Sequence, residues 1–441
     1  MKIMKRKIYQ KLLEWKNSKD RKPLMLLGAR QVGKSYIVEE FCKKEFSNYV
    51  IVNLFERTDI VKLYEEEINS SEKYMKLKLL INVDIEKEDT CLFIDEIQES
   101  EKLISELKYF CEQHNNVRII CAGSLLGVKL KRARFSFPVG KVEMLNMYPM
   151  DFEEFLIASG EEKLIPEIRS CFDENIQMID SLHHKILELY KIYLISGGMP
   201  ESVRNMVDVH LDVSKYNSNI LKNIISSYFK DMDKYVLNNA EALKIERTYR
   251  SIPTQLGNLS NKFQFSKIDK DAKARDYESV LDWLEASNLV DKSYQVSLPE
   301  IPLRGFVKDN YFKLFLNDVG ILNSVLELSY ADIMLDNVSL YKGVISENYV
   351  ANQLLCNGFS LYYWQSKATS EVDFLIYTKD GIIPIEVKSG DAVKSKSLNV
   401  YMEKFQPKYS VRISTRNFGY NESKRIKSVP LYAVFCINSG L

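Results

Sequence analysis

The sequence predicts an α/β protein that opens on a parallel sheet covered by helices and closes on a C-terminal α/β unit. Three observations carry this. From Pro23 to Met150, continuous apolar runs alternate with amphipathic stretches, the pattern of strands buried on both faces. From Asp151 to about Lys234 the periodicity is helical, with one break at Ser196-Gly197-Gly198-Met199-Pro200. From about Gly305 onward the pattern reads helix, three closely spaced strands, helix and strand. At 441 residues the chain is too long for one core, and the expected divisions are 1–150, 151–234, 235–304 and 305–441.

The elements follow in order. Pro23-Leu-Met-Leu-Leu-Gly28 is a short buried strand, followed by a helix from about Lys34 to Phe46. Tyr49–Leu54 and Cys91–Asp95 are the next strands, the latter followed by a helix through Leu103, Leu107 and Phe110. Val117–Gly123 and Lys141–Met147 complete the sheet. In the middle of the chain, the helix Tyr277–Leu284 precedes Leu289–Leu298 and a Pro-containing exit, and this helix-then-hairpin order resembles a winged helix.

Composition excludes several classes. The 61 Lys and Arg nearly balance the 60 Asp and Glu, so a nucleic-acid surface would have to be a local patch. The basic start Met1-Lys-Ile-Met-Lys-Arg-Lys7 lacks the apolar stretch of a signal peptide, and no run of about 20 apolar residues occurs. The seven cysteines are scattered and several sit in apolar segments, as small buried hydrophobes of a reducing compartment; the expected location is the cytoplasm. His114, His183, His184 and His210 have no metal-ligand spacing.

Gly28-Ala29-Arg30-Gln31-Val32-Gly33-Lys34-Ser35 sits between a strand and a helix, with Tyr36 next in that helix. This is the phosphate-binding loop: backbone N–H groups curl around phosphates at a helix N-terminus, Lys34 reaches the β- and γ-phosphates of ATP, and the Ser35 hydroxyl binds Mg²⁺. Asp95 and Glu96, at the end of an apolar strand, supply the other half. Asp95 holds Mg²⁺ through water and Glu96 orients or deprotonates the attacking water. Adjacent acids favour hydrolysis over transfer to a small acceptor. The next strand ends in Cys121-Ala-Gly-Ser124, where Ser124 either lies close to the γ-phosphate or caps the following turn. In Lys129-Leu-Lys131-Arg132-Ala-Arg134, one of Arg132 and Arg134 serves as an arginine finger, in cis or towards a neighbouring subunit, or the loop is simply solvated.

These motifs, with Leu92-Phe-Ile-Asp-Glu-Ile-Gln98, Ala122-Gly-Ser-Leu-Leu-Gly127, Phe137-Pro-Val-Gly-Lys141, Tyr148-Pro-Met-Asp-Phe-Glu-Glu-Phe155 and Gly197-Gly-Met-Pro-Glu201, resemble the prokaryotic AAA-family ATPases that end in a C-terminal domain of unknown function. The resemblance spans nearly the whole chain. It implies that the segment after the fifth strand is a helical lid containing the Gly-Gly-Met-Pro turn. From the residues alone that turn is a helix break, with glycines ending one helix and Pro200 starting another. A nucleotide-sensing role is the other reading.

The C-terminal third carries a second constellation. Glu347 lies on a helix with apolar Ile345, Tyr349, Val350 and Leu354; the strand Leu361–Gln365 follows. Ser370–Ile376 and Ile382–Lys388 read as a hairpin, with Glu386 and Lys388 on one face and Asp373 on the partner strand. Carboxylates sharing a metal beside a lysine can hydrolyse a phosphodiester. The alternative is a cross-strand charge pair on an exposed face. The pattern resembles the PD-(D/E)XK nuclease superfamily, which implies acidic, metal-binding roles for Glu347, Asp373 and Glu386 and the basic role for Lys388. Val372 departs from it, standing where that superfamily often has Pro. Lys388, Lys394 and Lys396 either contact phosphates or form a solvated run. The expected function is ATP turnover coupled to a DNA-directed, nuclease-like domain; the alternative is a regulatory ATPase switch that binds DNA or protein without cleavage. ATP and DNA are the expected partners, with a protein partner or a second copy of the chain also possible and no membrane.

Overall fold

The computed structural model describes residues 4–132, 137–235, 239–258, 262–339, 341–366, 370–390 and 396–438. The chain divides into two units, Met1–Tyr148 with Asp282–Leu289, and Pro149–Leu281 with Val290–Leu441.

The first unit is built on five strands, β1 (Leu24–Leu27), β2 (Asn48–Asn53), β3 (Thr90–Asp95), β4 (Arg118–Ala122) and β5 (Glu143–Asn146), in the order β2-β3-β4-β1-β5. Every pairing is parallel. Alternate residues of the central strands β1, β3 and β4 enter opposite cores. Leu24, Leu26, Phe93 and Ile120 pack with Val38 and Phe41 of helix α1 (Lys34–Glu45). Met25, Leu92, Ile94 and Ile119 pack on the other face with Ile104 and Leu107 of helix α2 (Glu101–Gln113). A strand with two dry faces has no polar alternation, which is why these segments read as unbroken apolar runs. The chain leaves β1 for one side and returns to its other side, so the carboxyl ends of β1, β3 and β4 converge where strand order reverses, the usual ligand position in such sheets.

The second unit holds an eight-stranded mixed sheet. Its strands are β6 (Val290–Val296), β7 (Val307–Leu316), β8 (Tyr362–Gln365), β9 (Glu371–Thr378), β10 (Gly381–Val387), β11 (Ser410–Ser414), β12 (Gly419–Asn421) and β13 (Ile426–Pro430). The order is β12-β13-β11-β10-β9-β8-β6-β7. Two expectations change here. Residues 307–316 form a strand rather than a helix, and β6, expected as part of a separate wing, pairs antiparallel with β7 and parallel with β8 as part of the large sheet. The last five residues of β7, Phe312-Lys-Leu-Phe-Leu316, are all buried, so Lys313 interrupts an apolar run that is fully interior and disguises the strand.

Helices fill the rest of this unit. The first, Phe152–Ala158, starts on a reciprocal cap in which Asp151 accepts the Glu154 N–H and Glu154 accepts the Asp151 N–H. The Asp-Phe-Glu-Glu motif is thus a helix start. Helix α3 (Asp180–Ser196) ends at Gly197 and helix α4 (Pro200–Asp208) begins at Pro200. The glycines between them do more than punctuate. The Met150 N–H donates to the Gly198 carbonyl at 2.7 Å, and the Gly198 N–H donates to Asp318 Oδ2 at 2.6 Å. A Cβ on Gly198 would lie 2.0 Å from the Met150 carbonyl oxygen. Asp318 also caps helix α5 (Val319–Val325) by accepting the Ile321 N–H at 2.9 Å. Burial pushes its carboxyl up to about 6, against the opposing pull of three backbone N–H donors.

Candidate nucleotide site and a buried charge cluster

The loop Gly28–Gly33 leaves the end of β1 and enters α1 at Lys34. Its curl uses left-handed backbone at Gln31 (φ 63°) and Gly33 (φ 95°). At Gly28 (φ 146°) a Cβ would meet the Met147 carbonyl oxygen at 2.3 Å, so only glycine lets the loop pass beneath β5. Gly33 provides no side-chain cap for α1, leaving the first-turn N–H groups for a phosphate. Val32 is buried, while Arg30, Gln31 and Ser35 are exposed and Tyr36 is partly so. Arg6 braces the loop from outside the motif, donating to the carbonyls of Val32 at 3.1 Å and Tyr148 at 2.6 Å. Nothing local marked that arginine, because both partners are distant in the chain.

Lys34 is buried, with Nζ donating to the carbonyls of Gly28 at 2.8 Å and Ala29 at 2.9 Å. Burial lowers its pKa to about 8, and Glu96 and Asp95 oppose the fall. Phosphate binding needs the ammonium form, which declines as pH rises through that value. The affinity of the protein for ATP should therefore fall between pH 7 and pH 9, measured with a fluorescent ATP analogue. A flat profile would contradict this account of Lys34.

Asp95 ends β3, and its carboxyl, raised chiefly by burial, is hydrogen-bonded to Ser35. A hydroxyl and a carboxylate already in contact beside the loop fit a Mg²⁺ ion. Glu96 turns out of the strand with φ 55°, and its carboxylate accepts a hydrogen bond from Gln98 Nε2 at 2.5 Å. β4, which ends one residue before Gly123-Ser124, lies between β1 and β3. Arg132 ends the helix Leu126–Arg132, but its side chain and all of Arg134 lie outside the described residues.

The second unit gathers the other constellation. Glu347 lies on helix α6 (Lys342–Cys356), Glu371 and Asp373 on β9, Glu386 on β10 and Lys388 just beyond it. Lys388 Nζ is 2.6 Å from Glu386 Oε1, and the Val387 N–H donates to Asp373 Oδ2 at 2.7 Å. Asp373 also hydrogen-bonds Glu347. Sequence reasoning missed the centre of this group. Lys313, on β7 and 0% exposed, lies 2.6 Å from Glu371 Oε1 and 3.5 Å from Glu347 Oε2, with its ammonium 5.2 Å from the Tyr363 ring centroid. Burial opposes its charge, yet Glu347, Glu371 and Asp373 more than offset that and raise its pKa. Burial drives the Glu347 and Asp373 carboxyls upward, with Lys313 pulling the other way. Lys388 is raised, Glu386 outweighing its burial.

Glu347, Asp373 and Glu386 were expected to share a metal. Here the cations at these acids are ammonium groups, and among the described residues no three His, Cys, Asp or Glu side chains are grouped to hold a metal ion. Lys394 lies outside the described residues, and Lys396 begins helix α7 (Lys396–Phe405).

Residues 20–156 match the family described as AAA domain. Residues 187–332 and 342–434 match two domains of unknown function, DUF8612 and DUF4143. Comparison with curated proteins returns no match. Among solved structures, a Walker-type ATPase of Pyrococcus abyssi is similar at 16% identity and TM-score 0.44, over 74% of this chain and 96% of that one. The ORC1 protein of Aeropyrum pernix in complex with DNA is similar at 10% identity and TM-score 0.31, over 73% and 90%. The Thermotoga maritima RuvB Holliday junction branch migration motor is similar at 13% identity and TM-score 0.27, over 65% and 89%. No helix among the described residues is long and apolar enough to cross a membrane.

Proposed function

We propose that the chain hydrolyses ATP and uses the turnover to switch a C-terminal unit that engages DNA. The carrying observation is the grouping of Lys34, Ser35, Asp95 and Glu96 at the carboxyl ends of β1 and β3, beside the uncapped N-terminus of α1. Phosphate oxygens accept the first-turn N–H groups, and the Lys34 ammonium exchanges the Gly28 and Ala29 carbonyls for β- and γ-phosphate oxygens. Mg²⁺, held through Ser35 and Asp95, would neutralise charge on those oxygens. Glu96 takes a proton from water as the water oxygen bonds the γ-phosphorus. The bond from that phosphorus to the β,γ-bridging oxygen breaks, releasing ADP. Assembly with further copies, so that Arg132 or Arg134 reaches a neighbour's nucleotide, belongs to the same proposal, as does a cytoplasmic setting.

For the C-terminal unit, the succession α6–β8–β9–β10–α7–β11 supports the nuclease-like reading of its fold, as do the positions of Glu347, Asp373, Glu386 and Lys388. Lys313 favours binding without cleavage, because its ammonium already pairs with Glu347, one of the acids expected to hold the metal. The test is a DNA-binding and cleavage screen of the full chain with Mg²⁺ or Mn²⁺, wild type beside Asp373→Ala. The expected result is nucleotide-dependent DNA binding by both proteins and cleavage by neither. Cleavage by the wild type, lost in Asp373→Ala, would replace the switch with a nuclease.

A further inference from the structure

We infer that Gln98 is a positioning residue for ATP hydrolysis, holding the Glu96 carboxylate at a fixed angle from beneath the ends of β3 and β4. The inference rests on the ATPase reading above. β3 stops at Asp95, Glu96 takes left-handed backbone, and the 3₁₀ turn Ile97–Glu99 folds the chain back. Ile97 anchors this turn in the core that also holds Leu103 and Ile104 of α2. The turn points the Gln98 amide at its neighbour two residues earlier, and Nε2 donates to Glu96 Oε2 at 2.5 Å.

Gln98 is 1% exposed, unusual for an amide. Its Oε1 is buried and has no hydrogen-bond partner among the described groups, so the polar engagement of this side chain is with Glu96. An apolar residue of similar length would fill the space without leaving an acceptor unpaired, so packing alone does not explain an amide here. The fold also makes room for it. A Cβ on Gly123 would lie 2.0 Å from Gln98 Oε1, so the end of β4 admits the amide only because residue 123 is glycine. Gly123 precedes Ser124, which ties the Gln98 position to the strand lying between the loop strand and the acidic strand.

The chemical consequence is specific. A general base on a rotatable side chain spends much of its time in unproductive rotamers, and fixing it beforehand removes that cost from the barrier. Donation to Oε2 fixes the orientation of the carboxylate and leaves Oε1 to accept the water proton.

The experiment measures steady-state phosphate release by the full chain as wild type, Lys34→Ala, Glu96→Gln, Gln98→Met and the Gln98→Met/Glu96→Gln double variant. Methionine keeps the length and burial of glutamine but cannot donate. The expected result for Gln98→Met is a kcat lower by about 10- to 100-fold, with KM for ATP and affinity for a fluorescent ATP analogue changed by less than about twofold. The double variant should be no slower than Glu96→Gln alone, since Gln98 acts through Glu96. A wild-type kcat in Gln98→Met, or losses that multiply in the double variant, would overturn the assignment. If Gln98→Met does not fold, Gln98→Asn, whose shorter amide falls short of Glu96, carries the same expectations. Equal phosphate release by wild type and Lys34→Ala would instead remove the ATPase reading itself.

Discussion

Lys34→Ala should reduce kcat/KM for ATP by about 1,000-fold, about 4 kcal/mol of transition-state stabilisation. The size of the effect follows from where the ammonium sits. It is buried beneath the loop and bound to two carbonyls of that loop, so it meets developing negative charge at low dielectric without reorganising solvent. Arg6 is committed to the Val32 and Tyr148 carbonyls, and Arg30 is exposed, so neither sits where the Lys34 ammonium does. Alanine would also leave the Gly28 and Ala29 carbonyls without that donor, so some loss of nucleotide affinity should accompany the loss of rate. Phosphate release and analogue binding, measured on the same preparation, separate the two. Turnover within tenfold of wild type would contradict the proposed site.

Lys313→Met should destabilise the protein by about 3–5 kcal/mol, because it removes a fully buried cation and leaves half-buried carboxylates without it. The pH dependence has a definite sign. Without Lys313, the folded-state pKa values of Glu347 and Asp373 rise further above their unfolded values. The folded state then binds more protons than the unfolded state across the neutral range, so stability falls as pH rises. The deficit relative to wild type should therefore be larger at pH 8 than at pH 5, read from urea midpoints at each pH. Glu371→Gln should cost less, since Lys313 keeps Glu347. A Lys313→Met variant as stable as wild type at pH 8 would dismiss Lys313 as the cation of this cluster.

The two constellations differ in how far they were legible. The loop from Gly28 to Ser35 is contiguous, and its strand and helix are written on either side of it, so its conformation follows from local spacing. The hairpin carrying Asp373 and Glu386 was legible for a similar reason: the β9–β10 turn is two residues long, and period-2 alternation assigns each side chain a face. Lys313 was not, because a lysine inside an apolar stretch reads as a solvated break until the sheet shows that carboxylates surround it. The wider sheet around the β6–β7 hairpin was hidden for the same reason. β6 has the pattern of a short strand, but no local feature says that β8, far along the chain, will pair with it.

A phosphate-binding loop with an acidic pair on a parallel α/β sheet is readable from the chain alone, because that chemistry uses adjacent residues on elements with strong local patterns. Their surroundings became visible in the folded chain. The Arg6 brace spans 26 residues to Val32, the Lys313–Glu347 pair spans 34, and the Gly198–Asp318 tether spans 120. Gln98 is the instructive middle case. It sits two residues from Glu96 and was legible as part of a motif, but its burial and the glycine that admits it depend on a strand that arrives later. Local spacing sets backbone conformation, whereas the partner of a buried polar group is chosen by whichever distant segment the core brings alongside it.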